Sequence, residues 1–149
     1  MNWNLRKFND LSNDELYSLL KLRSEVFVVE QNCIYQDLDG KDQLCWHLLG
    51  VNEGKLVAYT RIIPPGVSYN GASIGRVVTS PVVRGTGVGW DLMKNSIEQC
   101  EKLFGKTSIT LGAQVYLKKF YESLGFIASS EAYLEDGIPH IEMVRKAPS

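Results

Sequence analysis

An arginine followed by three alternate glycines is the feature of the chain that most directly suggests chemistry. The run Arg84-Gly85-Thr86-Gly87-Val88-Gly89 lies between a β-like segment and an amphipathic helix. Glycine lets a ligand approach the backbone and permits positive φ, and the first turn of a helix leaves N–H groups unpaired at its positive end. The loop therefore predicts a pyrophosphate site, which we prefer to the alternative of a flexible turn rich in glycine.

The glycine spacing differs from that of two common phosphate-binding motifs. The dinucleotide fingerprint requires glycine at its sixth position, where this chain has Trp90. The triphosphate loop requires G-x-x-x-x-G-K-[ST], a run that the sequence does not contain. The spacing thus disfavours a nucleotide-binding domain.

Two residues have side chains suited to proton transfer. His140 follows the turn Gly137-Ile138-Pro139, and imidazole changes charge near neutral pH. It is interpreted either as a general base or as a strand residue hydrogen-bonded for structure. Tyr121, taken from the residues alone, fits a core aromatic that shares a helix face with Leu117 and Leu124.

Two charged residues fall on the apolar face of the predicted first helix. At about 100° per residue, Arg23 lies between Leu20 and Phe27, and Glu30 returns to the same face if the helix continues. A charge there needs a partner or a water-filled cleft. The alternatives are a buried Arg23–Glu30 ion pair, or two residues that line a substrate pocket.

Helices and strands alternate along the chain. Ser12, with Glu15 three residues later, predicts the start of the first helix, and Gly105 the end of the helix after the glycine-rich run. Further segments read as strands at 47–51, 55–63, 72–79, 108–111, 126–129 and 140–146, and as a helix at 115–124. This order predicts an α/β fold, a mixed sheet covered by helices, in a single domain over residues 1–149.

Composition excludes several classes of protein. The chain has 149 residues and a net charge of −1, whereas a dedicated nucleic-acid binder normally carries a basic excess. No apolar run is long enough to span a bilayer and no export signal is present, so we expect no membrane contact and a cytoplasmic location. Three scattered cysteines and two histidines predict neither disulfides nor a metal site.

Three motifs in this order resemble the GNAT acyltransferases. Residues 84–89 resemble their acetyl-coenzyme A pyrophosphate loop, and residues 74–79 their central splayed strand. Residues 114–126 resemble a helix that ends in Phe-Tyr-Glu-x-Leu-Gly-Phe. Residues 22–31, 74–77 and 137–141 resemble the ElaA-like branch in particular.

The resemblance implies a twisted sheet that splays at its central strand, with helices on both faces, and a set of site residues. Main-chain groups would bind the coenzyme's pantetheine arm at Val77, Val78 and Thr79 and its pyrophosphate at Arg84, Gly85, Thr86, Gly87, Val88 and Gly89. Gln114 stands where many members have Asn, a contact to the same arm. Tyr121 would protonate the leaving sulfur, the N–H near Val78 would polarise the thioester, and His140 is the leading base. Arg23 and Glu30 would line the acceptor pocket, with Glu30 binding the ammonium or serving as an alternative base.

The function implied is an acetyl-CoA-dependent N-acetyltransferase that uses a small-molecule or peptide amine, by direct attack in a ternary complex and without a metal. The alternative is a non-catalytic acyl-CoA-binding module. Dimers are common in the family, so a homodimer is one expected state.

Overall fold

An eight-stranded sheet runs through the computed structural model, which describes residues 1–148. Its strands are β1 (Asn2–Lys7), β2 (Trp46–Asn52), β3 (Lys55–Ile63), β4 (Ala72–Thr79), β5 (Ile109–Gln114), β6 (Ile127–Ala128), β7 (Tyr133–Glu135) and β8 (Ile138–Arg145). They pair in the order β1-β2-β3-β4-β5-β8-β6, with β7 also on β8. All pairs are antiparallel except β4–β5. The mixed sheet that the sequence predicts is confirmed.

Three α-helices pack against this sheet: α1 (Asn13–Arg23), α2 (Val88–Phe104) and α3 (Lys118–Glu122). The predicted capping box opens α1, with the Glu15 N–H donating to Ser12 Oγ at 3.0 Å and the Ser12 N–H to Glu15 Oε1 at 2.9 Å. A π-helical segment, Ser24–Glu30, continues α1. Short 3₁₀ turns occupy Phe8–Asp10, Asp42–Leu44, Pro81–Val83 and Val115–Leu117.

The two faces of the sheet are covered by different helices. Leu19, Leu22 and Val26 of α1 and its π-helical extension pack on Leu49 and Tyr59. On the other face, α2 contributes a larger core whose buried residues include Leu92, Met93, Ile97 and Cys100. Helices on both faces are therefore confirmed, and each strand between them alternates its side chains from one core to the other.

The sheet is split between β4 and β5. These strands pair with each other only at Ala72 with Ile109 and Ser73 with Thr110. Beyond these positions β4 and β5 separate. Arg76 has a φ of +51° and interrupts the register between β3 and β4, as a bulge does. The splayed central strand that the resemblance implies is confirmed.

Several element bounds differ from the sequence prediction. Strand β1 was not predicted, although Trp3 and Leu5 alternate with polar residues as an edge strand does. The predicted helix at 115–124 is a 3₁₀ turn followed by the five residues of α3. The final hairpin contains β7, which pairs with β8 across a tight turn at Asp136 and Gly137, both with positive φ.

Candidate active site

A cleft of about 1020 Å³ opens where β4 and β5 separate. Its walls come from the π-helical segment, β4, the glycine loop (residues 84–89), the end of β5, α3 and the β7–β8 hairpin. Of the predicted site residues, the cleft is lined by Val77, Val78, Thr79, Arg84, Gly89, Gln114, Tyr121, His140 and Glu30. The split of the sheet thus brings together residues that lie far apart in sequence.

The β4 wall presents main chain to the cleft. Val77 packs against the core beneath α2 and Val78 belongs to the core beneath α1, so side chains hold this segment from both faces. Thr79 pairs with Ala58 of β3 on one edge. The other edge, toward β5, has no strand partner beyond Ser73, which leaves its N–H and C=O groups available to a ligand.

The glycine loop has the geometry of an anion cradle. Gly85 and Gly87 have φ of +80° and +86°, and a Cβ at either position or at Gly89 would meet no surrounding atom within 4 Å. Gly87 is the N-cap of the 17-residue α2, which Val88 begins. Among the described residues, the main-chain N–H groups of Gly85, Thr86 and Gly87 donate no hydrogen bond. Open space, free donors and a helix N-terminus together fit a pyrophosphate.

Arg84 is held by Glu30 at the mouth of the cleft. Its Nη2 donates to Glu30 Oε1 at 2.6 Å and to the Thr79 carbonyl at 3.3 Å, and its Nη1 donates to the second oxygen of Glu30. These hydrogen bonds from Arg84 lower the pKa of the Glu30 carboxyl. Glu30 therefore pairs with the glycine loop, a contact that the sequence interpretation did not foresee.

The structure contradicts both interpretations of Arg23. Its side chain is fully buried and does not line the cleft, so it is not an acceptor-pocket residue. Its partners are Asp37, at 2.8 Å from Nε, and Asp42, at 2.9 Å from Nη1, rather than Glu30. The physical reason is that residues 37–42, the acidic loop, fold back onto α1 and supply the carboxylates that a buried guanidinium requires.

The acidic loop also neutralises two further arginines beside the cleft. Arg61 donates to both oxygens of Asp39 at 2.8 Å and to Asp42 at 3.1 Å. Arg76 places Nε 2.7 Å from Asp37 Oδ1, a position that it reaches because the bulge in β4 turns it to this face. Burial opposes ionisation of Asp39 and Asp42, but hydrogen bonds from the arginines outweigh it and lower the pKa of both.

Tyr121 is a protonated phenol without a partner. The residue is 4% exposed, with edge-on ring contacts to Phe120 and Phe126 at centroid distances of 5.2 and 5.9 Å. Burial raises the pKa of its hydroxyl, which stays protonated at neutral pH. Its hydroxyl makes no hydrogen bond to any residue that the structure describes. It can therefore donate a proton to a ligand in the cleft.

His140 has its two ring nitrogens in different surroundings. Nδ1 lies 2.7 Å from the Ile138 carbonyl, which can only accept, so Nδ1 carries the proton. This leaves Nε2 to take up a proton, and Glu135 Oε2 lies 3.5 Å from it. The ring stacks on Tyr133 at a centroid distance of 6.0 Å. This tautomer and the adjacent carboxylate suit a general base.

The other histidine and the cysteines are packed inside the fold. His47 is fully buried, with Nδ1 2.6 Å from Tyr59 Oη and Nε2 2.9 Å from the Asp42 carbonyl, which agrees with a structural role. Within residues 1–148, no cluster of three or more potential ligands could hold a metal ion, and no helix could cross a bilayer.

Sequence reasoning missed several residues that line the cleft. They are Asp39, Lys41, Arg61, Tyr69, Tyr133 and Glu135. The only sequence signal was the spacing of Asp37, Asp39 and Asp42, which reads as an ordinary polar loop. These cleft residues come together only through long-range folding, so no local sequence pattern predicts that they share one cleft.

Comparison with known proteins identifies the family. The family model described as Acetyltransferase (GNAT) domain matches residues 9–147. ElaA of Escherichia coli is 46% identical over 146 residues, which cover 97% of this chain and 95% of ElaA. The structure of an acyl-CoA N-acyltransferase from Pseudomonas aeruginosa matches with a TM-score of 0.93 and 44% identity, covering 97% of this chain and 99% of that one.

A more distant structure shares the fold. An aminoglycoside 6′-N-acetyltransferase complexed with coenzyme A matches with a TM-score of 0.71 and 17% identity, covering 97% of this chain and 96% of that one. The glycine loop, the split sheet and these similarities agree. The chain belongs to the GNAT acetyltransferase family, in its ElaA-like branch.

Proposed function

We propose that this acyltransferase is an acetyl-CoA-dependent N-acetyltransferase acting on the amine of a small molecule or peptide, by direct attack in a ternary complex. Membership of the GNAT family supports acyl transfer from an acyl-CoA. The observation that carries the proposal is one cleft that holds the unpaired edge of β4 and the unpartnered hydroxyl of Tyr121, and that reaches the glycine loop at Arg84 and Gly89.

Coenzyme binding follows from the main chain. The free edge of Val77, Val78 and Thr79 would bond the amides of the pantetheine arm as an added strand, and the glycine loop would hold the pyrophosphate. Gln114, at the end of β5, offers an amide to the same arm. The aminoglycoside enzyme, which has the same fold, is complexed with coenzyme A, and this supports a coenzyme site in the fold.

Three groups of the chain have roles in the chemistry. Bound acetyl-CoA supplies an acetyl group that is activated as a thioester. A main-chain N–H of β4 that faces the cleft would polarise its carbonyl, as an oxyanion donor does. His140 takes a proton from the incoming ammonium through Nε2, and Tyr121 gives its proton to the departing sulfur.

The cysteines support direct attack rather than an acyl-enzyme. Cys45 and Cys100 are buried away from the cleft, and burial raises the pKa of their thiols to about 11 and about 12. Cys33 lines the cleft, but its thiol donates to the Asp136 carbonyl at 3.4 Å. A nucleophilic cysteine needs an activated thiolate, and among the described residues none of the three thiols is hydrogen-bonded to a side-chain base.

The proposal is tested by thiol release from acetyl-CoA with a panel of amines. We expect Tyr121→Phe to lower kcat about a hundredfold, the range for loss of a general acid, while calorimetry shows unchanged affinity for coenzyme A. The matched control is Tyr17→Phe, because Tyr17 is an exposed tyrosine on the outer face of α1. It should keep wild-type turnover.

Two results would overturn parts of the proposal. Tight coenzyme binding without thiol release for any amine would favour the non-catalytic acyl-CoA-binding module. Wild-type kcat in Tyr121→Phe would remove Tyr121 as the proton donor.

A further inference from the structure

One side of the cleft is lined by the acidic loop, Ser68, Tyr69 and the β7–β8 hairpin, and we call it the acceptor side. It contains an ammonium group that pairs with no carboxylate of the described residues. Lys41 Nζ lies 3.1 Å from Ser68 Oγ, and within residues 1–148 it forms no salt bridge. Only the main-chain N–H of Lys41 donates to Asp39, at 3.0 Å. The ammonium of Lys41 therefore faces the cleft with a hydroxyl as its partner.

The other cations of the cleft are already paired. Arg61 and Arg76 bond the acidic loop, and Arg84 bonds Glu30. Together with Arg23, the first two provide three positive charges against the three negative charges of the acidic loop, so that network is formally neutral. The charge of Lys41 is not balanced by this network. A ligand anion could therefore pair with Lys41 without displacing a carboxylate.

The opposite wall of the acceptor side has the opposite charge. Glu135 and Asp136 lie at the β7–β8 turn and line the cleft, and neither pairs with a lysine or arginine in the described part of the chain. Glu135 lies 3.5 Å from His140 Nε2, the nitrogen that would accept a proton. An ammonium group would therefore be stabilised at this wall, next to the candidate base.

The two charged walls are connected through a short loop. Ser68, which binds Lys41, is followed by Tyr69, whose carbonyl accepts from the Gly66 N–H at 2.7 Å and closes the loop. Ser68 and Tyr69 line the same cleft as Lys41, Glu135 and His140. Lys41 and the wall that carries His140 therefore face one continuous cleft.

We infer that the acceptor is a small amine that also carries a carboxylate, with its amine at the wall formed by Glu135 and His140 and its carboxylate at Lys41. This inference rests on the proposed N-acetyltransferase activity and specifies its substrate class. Lys41 is then a specificity-determining residue, because its ammonium attracts an anionic group and repels a second cation. A diamine of similar length would bring two ammonium groups into the cleft and should be a poor acceptor.

The test compares acceptors that differ only in this charge. Thiol release is measured for a series of α- and ω-amino acids and for the carboxamide of each. For the best acceptor we expect kcat/KM to be at least about tenfold higher for the carboxylate than for its carboxamide, the effect of one charged hydrogen bond. Lys41→Gln should bring this ratio close to one without lowering the rate for the carboxamide, and Lys41→Arg should restore much of it.

Lys55→Gln is the matched control, because Lys55 is an exposed lysine at the start of β3 that does not line the cleft. It should keep the wild-type preference. A carboxamide that is used as well as the carboxylate would overturn the inference, and so would a Lys41→Gln variant that slows both acceptors equally. The proposed activity would survive either result. Absence of thiol release with every amine, despite binding of acetyl-CoA, would instead overturn the proposed activity.

Discussion

Gly85 and Gly87 give the glycine loop its shape through positive φ, which costs other L-residues about 1–2 kcal/mol each. Neither position is crowded, since a Cβ would meet no surrounding atom within 4 Å. Glycine is therefore required at these positions by the backbone conformation and not by crowding, and the space beside the loop is open to a ligand. We expect a side chain added here to weaken ligand binding more than it destabilises the fold.

Gly87→Val is expected to weaken coenzyme A binding at least about tenfold, because it strains the N-cap of α2 and places a branched side chain in the anion cradle. Gly54→Val is the matched control, since Gly54 has a φ of +76°, equally open surroundings and a place in the β2–β3 turn. Both variants should lose a similar 1–2 kcal/mol or so of unfolding free energy. Isothermal titration that finds equal affinities for the two variants would contradict the assignment of the loop.

At the scale of elements, the end of α1 joins the two halves of the site. The π-helical segment carries Glu30 to Arg84 in the glycine loop, while Arg23, at the end of α1, anchors the acidic loop. The Gln31 N–H bonds the Val26 carbonyl five residues back, at 3.1 Å, as a π-helix requires. The glycine loop and the acidic loop are thus both anchored to one helix and its extension.

Arg23→Met should lower the free energy of unfolding by about 3–5 kcal/mol, because it leaves the buried Asp37 and Asp42 with only Arg76 and Arg61 and the network with one uncompensated negative charge. Lys21→Met provides the comparison two residues away, where an exposed pair with Glu25 at 3.9 Å contributes about 0.5 kcal/mol or less. Urea denaturation of both variants measures the difference. A loss at Arg23 no larger than that at Lys21 would show that the buried network does not support the fold.

At the scale of the whole molecule, the acidic loop ties together α1, β3 and β4, which surround the acceptor side of the cleft. Its carboxylates bond arginines from all three elements. Because the pKa values of Asp39 and Asp42 are lowered in the folded chain, the unfolded chain binds protons first as pH falls. The stability that these groups contribute is complete above about pH 5 and is lost as pH falls below about 4.

Urea midpoints measured from neutral pH down to about pH 3 should therefore fall steeply below the unfolded carboxyl pKa of about 4. Asp39→Asn should show a shallower fall, since it removes one of the titrating groups. Asp14→Asn, an exposed change in the first turn of α1, should keep the wild-type slope. Parallel curves for wild type and Asp39→Asn would contradict the linkage.

Local chemistry made part of this protein predictable from sequence. The Ser12 capping box, the bounds of β3 and β4 and the order of the glycine loop before α2 were all read correctly, because each depends on residues within a few positions of one another. The resemblance that rests on these segments led to the correct family and to a splayed sheet.

Local sequence thus specifies most of the helices and strands, the family and the position of the glycine loop. Which charges meet is specified by the three-dimensional fold. Arg23 is bonded to the acidic loop rather than to Glu30, Glu30 is bonded to Arg84, and Lys41 bonds Ser68 but no carboxylate within residues 1–148. The reason is physical: an ion pair depends on distance in space, and these partners lie 14 to 54 residues apart, so no local spacing can specify them.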